Sequence, residues 1–261
     1  AALQDHPLPC AESRFLDPPL PPPPARPVLA PQNLDAIMAV LATYATGGHE
    51  NVLFVGPSGT GKTMAASWMA GKIGRPLFRL SFPKIFDSFL GRTARNLAES
   101  LHEVLDIGGI LFLDEMDAVF RARDLGGDHG EMQRTVNVLL MEIDNAAGDL
   151  PIFAATNLYA HVDKAVFRRF HRTLHFELPD RSLRERYLRS LLSPTPLPFL
   201  VPALVELSAG FSFAHLENMA RKLTGMSSDE STSWFGCLNA LLQSSPPDQV
   251  ERLNRFSSLM P

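Results

Sequence analysis

The sequence is poor in cysteine, in long apolar runs and in net positive charge, and each shortage removes a class of function. Only two cysteines occur in 261 residues, Cys10 and Cys237. They stand far apart and without metal-ligand spacing, which argues against a disulfide framework and fits a reducing compartment. No apolar run approaches the ~20 residues needed to span a bilayer, so no transmembrane segment is expected. The N-terminal residues lack the basic start and apolar core of a secretory leader. The expected location is cytoplasmic, although a piece of a longer chain would read the same way. The formal net charge is −4, which provides no global attraction for nucleic acid or acidic lipid. A metalloprotease is excluded in the same manner. His102-Glu-Val-Leu-Asp106 has Asp where an H-E-x-x-H helix needs its second His.

What is present is an ordinary globular balance, 45% hydrophobic and 20% charged, sufficient to build a core. The exception is the stretch 17–31, DPPLPPPPARPVLAP. Proline fixes φ and removes a backbone donor, so this stretch favours polyproline II and is barred from a sheet interior. It reads as a linker or surface arm; a docking peptide for a partner is the competing reading. From Asn33, apolar residues at helical spacing run to Tyr44. Short apolar runs then alternate with helical stretches. The runs are 51–55, 77–80, 110–113, 152–155 and 174–176, and the helices are 64–73, 94–105 and 132–143. Such alternation predicts a mostly parallel five-stranded sheet with helices on both faces. After Pro179 only helical patterns remain, at 182–192, 201–208, 214–224, 232–243 and 246–255. The expected domains are a Pro-rich arm over 1–32, an α/β domain over 33–180 and a small all-helical domain over 181–261.

The chemistry starts at Gly56-Pro-Ser-Gly-Thr-Gly-Lys-Thr63, which fits G-x-x-x-x-G-K-T between a buried strand and a helix. Gly56, Gly59 and Gly61 let the backbone curl so that successive N–H groups face a polyphosphate, and the helix N-terminus adds a positive end. Lys62 reaches the β- and γ-phosphates, and the Thr63 hydroxyl is offered to Mg²⁺. The nucleotide-binding set thus comprises Gly56, Pro57, Ser58, Gly59, Thr60, Gly61, Lys62, Thr63 and Met64, with ATP and Mg²⁺ as the cofactors. About 50 residues on, Ile110-Leu-Phe-Leu-Asp-Glu115 is a buried strand ending in two carboxylates. Asp114 is placed to hold Mg²⁺ and Glu115 to activate or orient the attacking water. The predicted fold is therefore a three-layer P-loop NTPase domain followed by a helical lid.

From about residue 33 to residue 245 the chain resembles an AAA-type ATPase of the AAA+ superfamily. Ile152-Phe-Ala-Ala-Thr-Asn157 resembles the strand carrying the sensor-1 asparagine, which makes Asn157 a partner of the attacking water or γ-phosphate. Val162-Asp-Lys-Ala-Val-Phe-Arg-Arg-Phe170 resembles a segment of the katanin and spastin branch. That similarity implies that Arg168 and Arg169 are arginine fingers acting on the neighbouring subunit's nucleotide; two arginines beside an apolar run would by themselves equally suit a surface ion pair. Leu178-Pro-Asp180 with Arg184 resembles the entry to the lid. Gly210-Phe-Ser-Phe-Ala-His-Leu216 resembles the lid helix start, which implies nucleotide contacts at Gly210 and Ala214. His215 replaces the usual acidic residue there.

The same resemblance assigns Leu80–Gly91 to the loop that lines a hexamer's central pore, with Phe89 and Leu90 gripping the substrate. The spacing of Ile85, Phe86, Phe89 and Leu90 alone reads as the apolar face of a helix; Phe86 is assigned to packing. Arg92 after the glycine departs from the family's frequent acidic residue and makes the pore mouth more basic. The expected function is an ATP-driven protein-remodelling motor, a homo-oligomer forming a hexameric ring on a protein substrate. The alternatives are a nucleic-acid-linked ATP switch, with the arginines between 168 and 189 as a basic patch, and a scaffold that binds nucleotide without cycling.

Overall fold

The computed structural model describes residues 16–82, 84, 93–117, 141, 144–145, 150–157, 168–193 and 201–224. Phe86, Phe89, Leu90, Gly91 and Arg92 lie outside the described residues. So do Val162–Phe167, most of the expected helix 132–143 and the expected helices 232–243 and 246–255.

In chain order the described elements are α1 (Pro31–Ala45), β1 (Val52–Val55), α2 (Lys62–Ile73), β2 (Leu77–Arg79), α3 (Thr93–Asp106), β3 (Ile110–Leu113) and β4 (Ile152–Thr156). They continue with β5 (Arg172–His175), α4 (Arg181–Leu192), α5 (Val201–Leu207) and α6 (Phe213–Thr224). The strands form a five-stranded sheet in the order β2-β3-β4-β1-β5, and every pairing is parallel. Strands β1, β3 and β4 are buried along their whole length. A parallel sheet covered on both faces needs continuous apolar strands, and VLFV, ILFL and IFAAT supply them. Phe54 and Phe153 meet edge to face across β1 and β4, with centroids 5.7 Å apart.

The last strand begins two residues earlier than the apolar run suggested. It is an edge strand paired in register with β1, Val52 opposite Arg172 and Val55 opposite His175. Only Leu174 of its four residues is buried. A search for a fully apolar run therefore misses its polar start. At the other edge, the Pro-rich arm lies antiparallel to β2. Leu16 bridges Leu80 and Leu20 bridges Leu77. The amides of Asp17 and Leu20 each donate to β2 carbonyls at 2.9 Å, and Pro21 O accepts from Ser67 Oγ at 2.7 Å. Pro22 packs so closely on α2 that a Cβ on Gly71 would sit 2.6 Å from its ring. Leu16 itself is a core residue, packed with Phe82, Val104 and Leu113. This use of proline agrees with its exclusion from sheet interiors, because an edge cover needs only alternate donors.

The described residues fall into two compact units. One contains Asp35–Gly56 and Lys62–His175 with the arm; the other contains Val28–Leu34, Pro57–Gly61 and the chain from Phe176 onward. The chain passes from one unit to the other inside the glycine-rich turn. The second unit is helical around Leu188, Leu204, Phe211, Leu216 and Met219. Asp180 caps α4 by accepting from the Leu183 amide at 2.8 Å. Arg184 is buried and donates to Pro179 O and Val205 O; burial lowers its pKa. No described helix is long and apolar enough to cross a membrane.

Candidate phosphate-binding and catalytic site

The chain leaves β1 for β2 at one edge of the sheet and leaves β4 for β5 at the other. The carboxyl ends of β1 and β4 thus open a crevice at a topological switch point, where α/β sheets place their ligands. Val55 is opposite Thr156, and the Gly56 amide donates to Thr156 O at 3.1 Å. The glycine-rich turn departs from this point. Gly61 has φ +93°, a left-handed conformation that glycine adopts without the Cβ penalty.

In the first unit, four residues expected from the sequence come together. The Lys62 ammonium donates to Gly56 O at 2.6 Å and to Asn157 Oδ1 at 2.7 Å. Burial lowers its pKa, opposed by the nearby charges of Asp117 and Asp114. The Thr63 hydroxyl donates to Asp114 Oδ2 at 3.2 Å. Burial raises the Asp114 pKa, against the opposing hydrogen bonds from Thr63 and the Glu115 amide. A hydroxyl and a carboxylate side by side are hard oxygen donors, the set that suits Mg²⁺ with waters and phosphate oxygens completing its shell.

Glu115 is exposed and has φ 55°, the one positive φ among the described non-glycine residues. Holding a glutamate in this region costs on the order of 1–3 kcal/mol. The strain is held from both sides: the Glu115 amide donates to Asp114 Oδ1 at 3.0 Å, and the Met116 amide donates to Ala155 O at 3.0 Å. The turn after β3 is thereby tied to β4, and the glutamate faces solvent beside the crevice.

Two polar residues, one at this site and one at the opposite, amino-terminal edge of the sheet, were not singled out in the sequence. Asp117, three positions beyond Asp114, is buried and accepts from the Thr156 hydroxyl, the Asn157 amide and Asn157 Nδ2. Asn51, immediately before β1, is fully buried and joins three strand starts. Its side chain accepts from the Ile152 amide and donates to Arg169 O, while its carbonyl accepts from the His171 and Arg172 amides. A third carboxylate after Asp-Glu was a signal that could have marked Asp117. No pattern marks Asn51.

The arginine pair sits on the turn before β5. Arg168 is exposed. Arg169 makes a two-pronged ion pair with Asp144, at 2.6 Å on each prong. The turn is thus anchored through Asn51 and Asp144.

In the second unit, the middle of the glycine-rich turn packs on the first turn of α6. A Cβ on Gly59 would lie 2.6 Å from Ser212 Oγ and 2.9 Å from Ala214 Cβ. The Ala214 amide donates to Gly59 O at 3.2 Å, and Thr60 Oγ1 closes the turn on Pro57 O at 2.8 Å. Ser212 and His215 pair at the start of α6, Oγ to Nδ1 at 2.9 Å. A cleft in this unit is lined by Val28, Leu29, Thr60, Phe176, Leu178 and Phe213 among others, but not by Gly210 or Ala214. Pro57, Ser58 and Met64 are exposed.

The parallel sheet, the glycine turn and the Lys62–Thr63–Asp114–Asn157 cluster define the fold of a P-loop nucleoside triphosphatase domain. Residues 52–178 match the family described as "ATPase family associated with various cellular activities (AAA)". The match covers the part of the chain that carries the Lys62–Thr63–Asp114–Asn157 cluster. The chain is 38% identical over 168 residues to the uncharacterized AAA family ATPase y4kL of Sinorhizobium fredii, a match covering 64% of this chain and 51% of that protein. It is 35% identical over 179 residues to the ATP-dependent zinc metalloprotease FtsH of Caldicellulosiruptor bescii, covering 65% of this chain and 29% of that one. The chain thus spans about half or less of the length of these curated relatives. The fold is also that of the FIGL-1 AAA domain solved with ADP, at a TM-score of 0.70 and 18% identity, covering 95% of this chain and 92% of that one.

Proposed function

We propose that this chain is the motor part of an ATP-driven protein-remodelling machine that works as a ring of identical copies. The observation that carries the reading is the pairing of Thr63 with Asp114 and of Lys62 with Asn157 at one crevice, beside a strained and exposed Glu115. Mg²⁺ held by Thr63 and Asp114 would neutralise phosphate charge. Lys62 exchanges its present carbonyl and amide oxygens for phosphate oxygens. Glu115 takes or orients the proton of the attacking water, and Asn157 aligns that water or the γ-phosphate. Arg168 and Arg169 act on the nucleotide of a neighbouring copy. Phe89 and Leu90 grip an extended polypeptide irrespective of its sequence. The remodelling part of this reading draws on the family resemblance and on relatives named as AAA ATPase and FtsH.

The test is a trap. Glu115→Gln is expected to bind ATP, stop turning over, sediment as a ring with ATP and retain a polypeptide. Phe89→Ala in the active chain is expected to keep ATP turnover and lose substrate processing. Retention of nucleic acid in place of polypeptide, with salt-sensitive binding, would contradict the proposal. So would a Glu115→Gln chain that stays monomeric in ATP.

A further inference from the structure

Asn157 is useful as a sensor only if its carboxamide presents a fixed face. The amide has two unlike ends, an acceptor Oδ1 and a donor Nδ2 that are nearly equal in size. Packing alone distinguishes them poorly, and Asn157 is exposed. Something must therefore set which end faces the crevice.

Asp117 does this by chemistry. Its ionised carboxylate can only accept. One oxygen takes the Asn157 main-chain N–H at 2.7 Å, and the other takes Asn157 Nδ2 at 2.6 Å. The backbone and side chain of the same residue are thereby gripped by the two oxygens of one carboxylate. A flipped amide would put Oδ1 against that carboxylate and Nδ2 against the Lys62 ammonium, which are two repulsions. In the observed orientation Oδ1 accepts from Lys62 at 2.7 Å. Asp117 is itself fixed: it is 9% exposed and also accepts from the hydroxyl of the fully buried Thr156. The neighbouring Met116 amide is tied to Ala155 of β4. The carboxylate therefore belongs to the rigid junction of β3 and β4, while its target stands at the open end of β4.

We propose that Asp117 is a positioning residue for ATP hydrolysis, holding the Asn157 carboxamide with Oδ1 toward Lys62 and one Nδ2 hydrogen left for the reacting phosphate or water. This rests on the reading of Asn157 as the sensor. Asp117 touches neither phosphate nor water in this account; it acts through Asn157 alone. An asparagine at 117 would reverse the preference: with its Oδ1 kept on the Thr156 hydroxyl and the Asn157 amide, its Nδ2 would face Asn157 and call for an acceptor there.

The experiment is a double-mutant cycle on the full chain, with Asp117→Asn, Asn157→Ala and the pair, read by steady-state ATP turnover and by titration with a fluorescent ADP analogue. Asp117→Asn is chosen over alanine because it keeps the volume and the acceptors for Thr156 and the Asn157 amide; a melting curve checks that it folds. Misaligned groups of this kind cost up to about 10²-fold in rate. Asp117→Asn is expected to lower kcat by about tenfold or more with ADP affinity within about threefold. In the Asn157→Ala background it is expected to cost about nothing further, since residues acting through one another are not additive. Thr156→Val, which removes the hydroxyl that braces the carboxylate, is expected to give a smaller kcat loss of the same kind. An unchanged kcat in Asp117→Asn overturns the proposal. So does a full additional loss in the double variant, or an equal fall in ADP affinity. If Asn157→Ala keeps full turnover, the sensor reading itself fails and takes this inference with it. If Asn157→Ala is slow and Asp117→Asn is not, only this inference fails.

Discussion

The phosphate site and the arginine turn are built from the same sheet and satisfied in opposite ways. At the phosphate site the charged groups answer one another inside the chain: Lys62 is held by Gly56 O and Asn157, and Asp114 by Thr63 and the Glu115 amide. At the turn before β5, Arg168 is exposed, and Arg169 is held by a half-exposed Asp144 and by Asn51 through its carbonyl. On the proposed reading, the first site exchanges these internal partners for phosphate. The second presents cationic groups outward on an anchored turn. On that reading, the first set of residues serves its own copy's nucleotide and the arginines serve a neighbour's.

The comparison can be broken first at the arginines. Replacing both Arg168 and Arg169 by alanine is expected to cut ATP turnover by about 10³-fold, the scale of a lost arginine finger, with nucleotide affinity within a few-fold. Turnover assays paired with ADP titration check this. Equal losses in affinity and rate would mean that the turn serves its own chain's site. On the other side, Lys62→Ala is expected to weaken ATP binding by roughly 10–100-fold, the value of one charge-assisted contact, measured by calorimetry. A third change sharpens how the turn is held. Asn51→Ala leaves the buried Ile152 amide without its acceptor and the Arg169 carbonyl without its donor. Two lost buried partners cost on the order of 2–4 kcal/mol, visible as a lower urea midpoint. The smallest effect is electrostatic. The Arg172 hydrogen bond holds the Glu50 carboxyl below its ordinary value of 4.5. A lowered folded pKa means that the pair's stabilisation is complete above about pH 4.5 and is lost as pH falls through the folded value. Glu50→Gln should flatten this acid limb by under about 1 kcal/mol, since Arg172 is partly exposed.

Much of this was legible from the chain before any fold was seen, for a physical reason. The G-x-x-x-x-G-K-T turn is local: its glycines, lysine and threonine act from consecutive positions, so spacing alone carries the chemistry. The buried strand before Asp114 and Glu115 is a continuous apolar run, as a doubly covered parallel strand must be. Asp117, Asn51 and Asp144 stayed silent because their roles come from contacts across the sheet. Asp117 acts on a residue 40 positions away and Asn51 on residues 101 and 118 away. A lone polar residue has no period by which to announce such a partner. The arm was half legible. Its prolines excluded a sheet interior, but nothing in their spacing distinguishes an edge cover over β2 from a free linker.

The central claim is that the phosphate site of one copy is completed by the arginines of another, and mixing two inactive chains tests it most directly. Glu115→Gln keeps its arginines and cannot turn over; the Arg168→Ala, Arg169→Ala chain keeps its Glu115 and lacks the fingers. Mixed at equal concentration with ATP and Mg²⁺, they are expected to recover turnover well above the sum of the two alone, because some double-arginine sites will face a Glu115→Gln neighbour. A mixture that forms joint oligomers and stays as slow as its components would contradict the account.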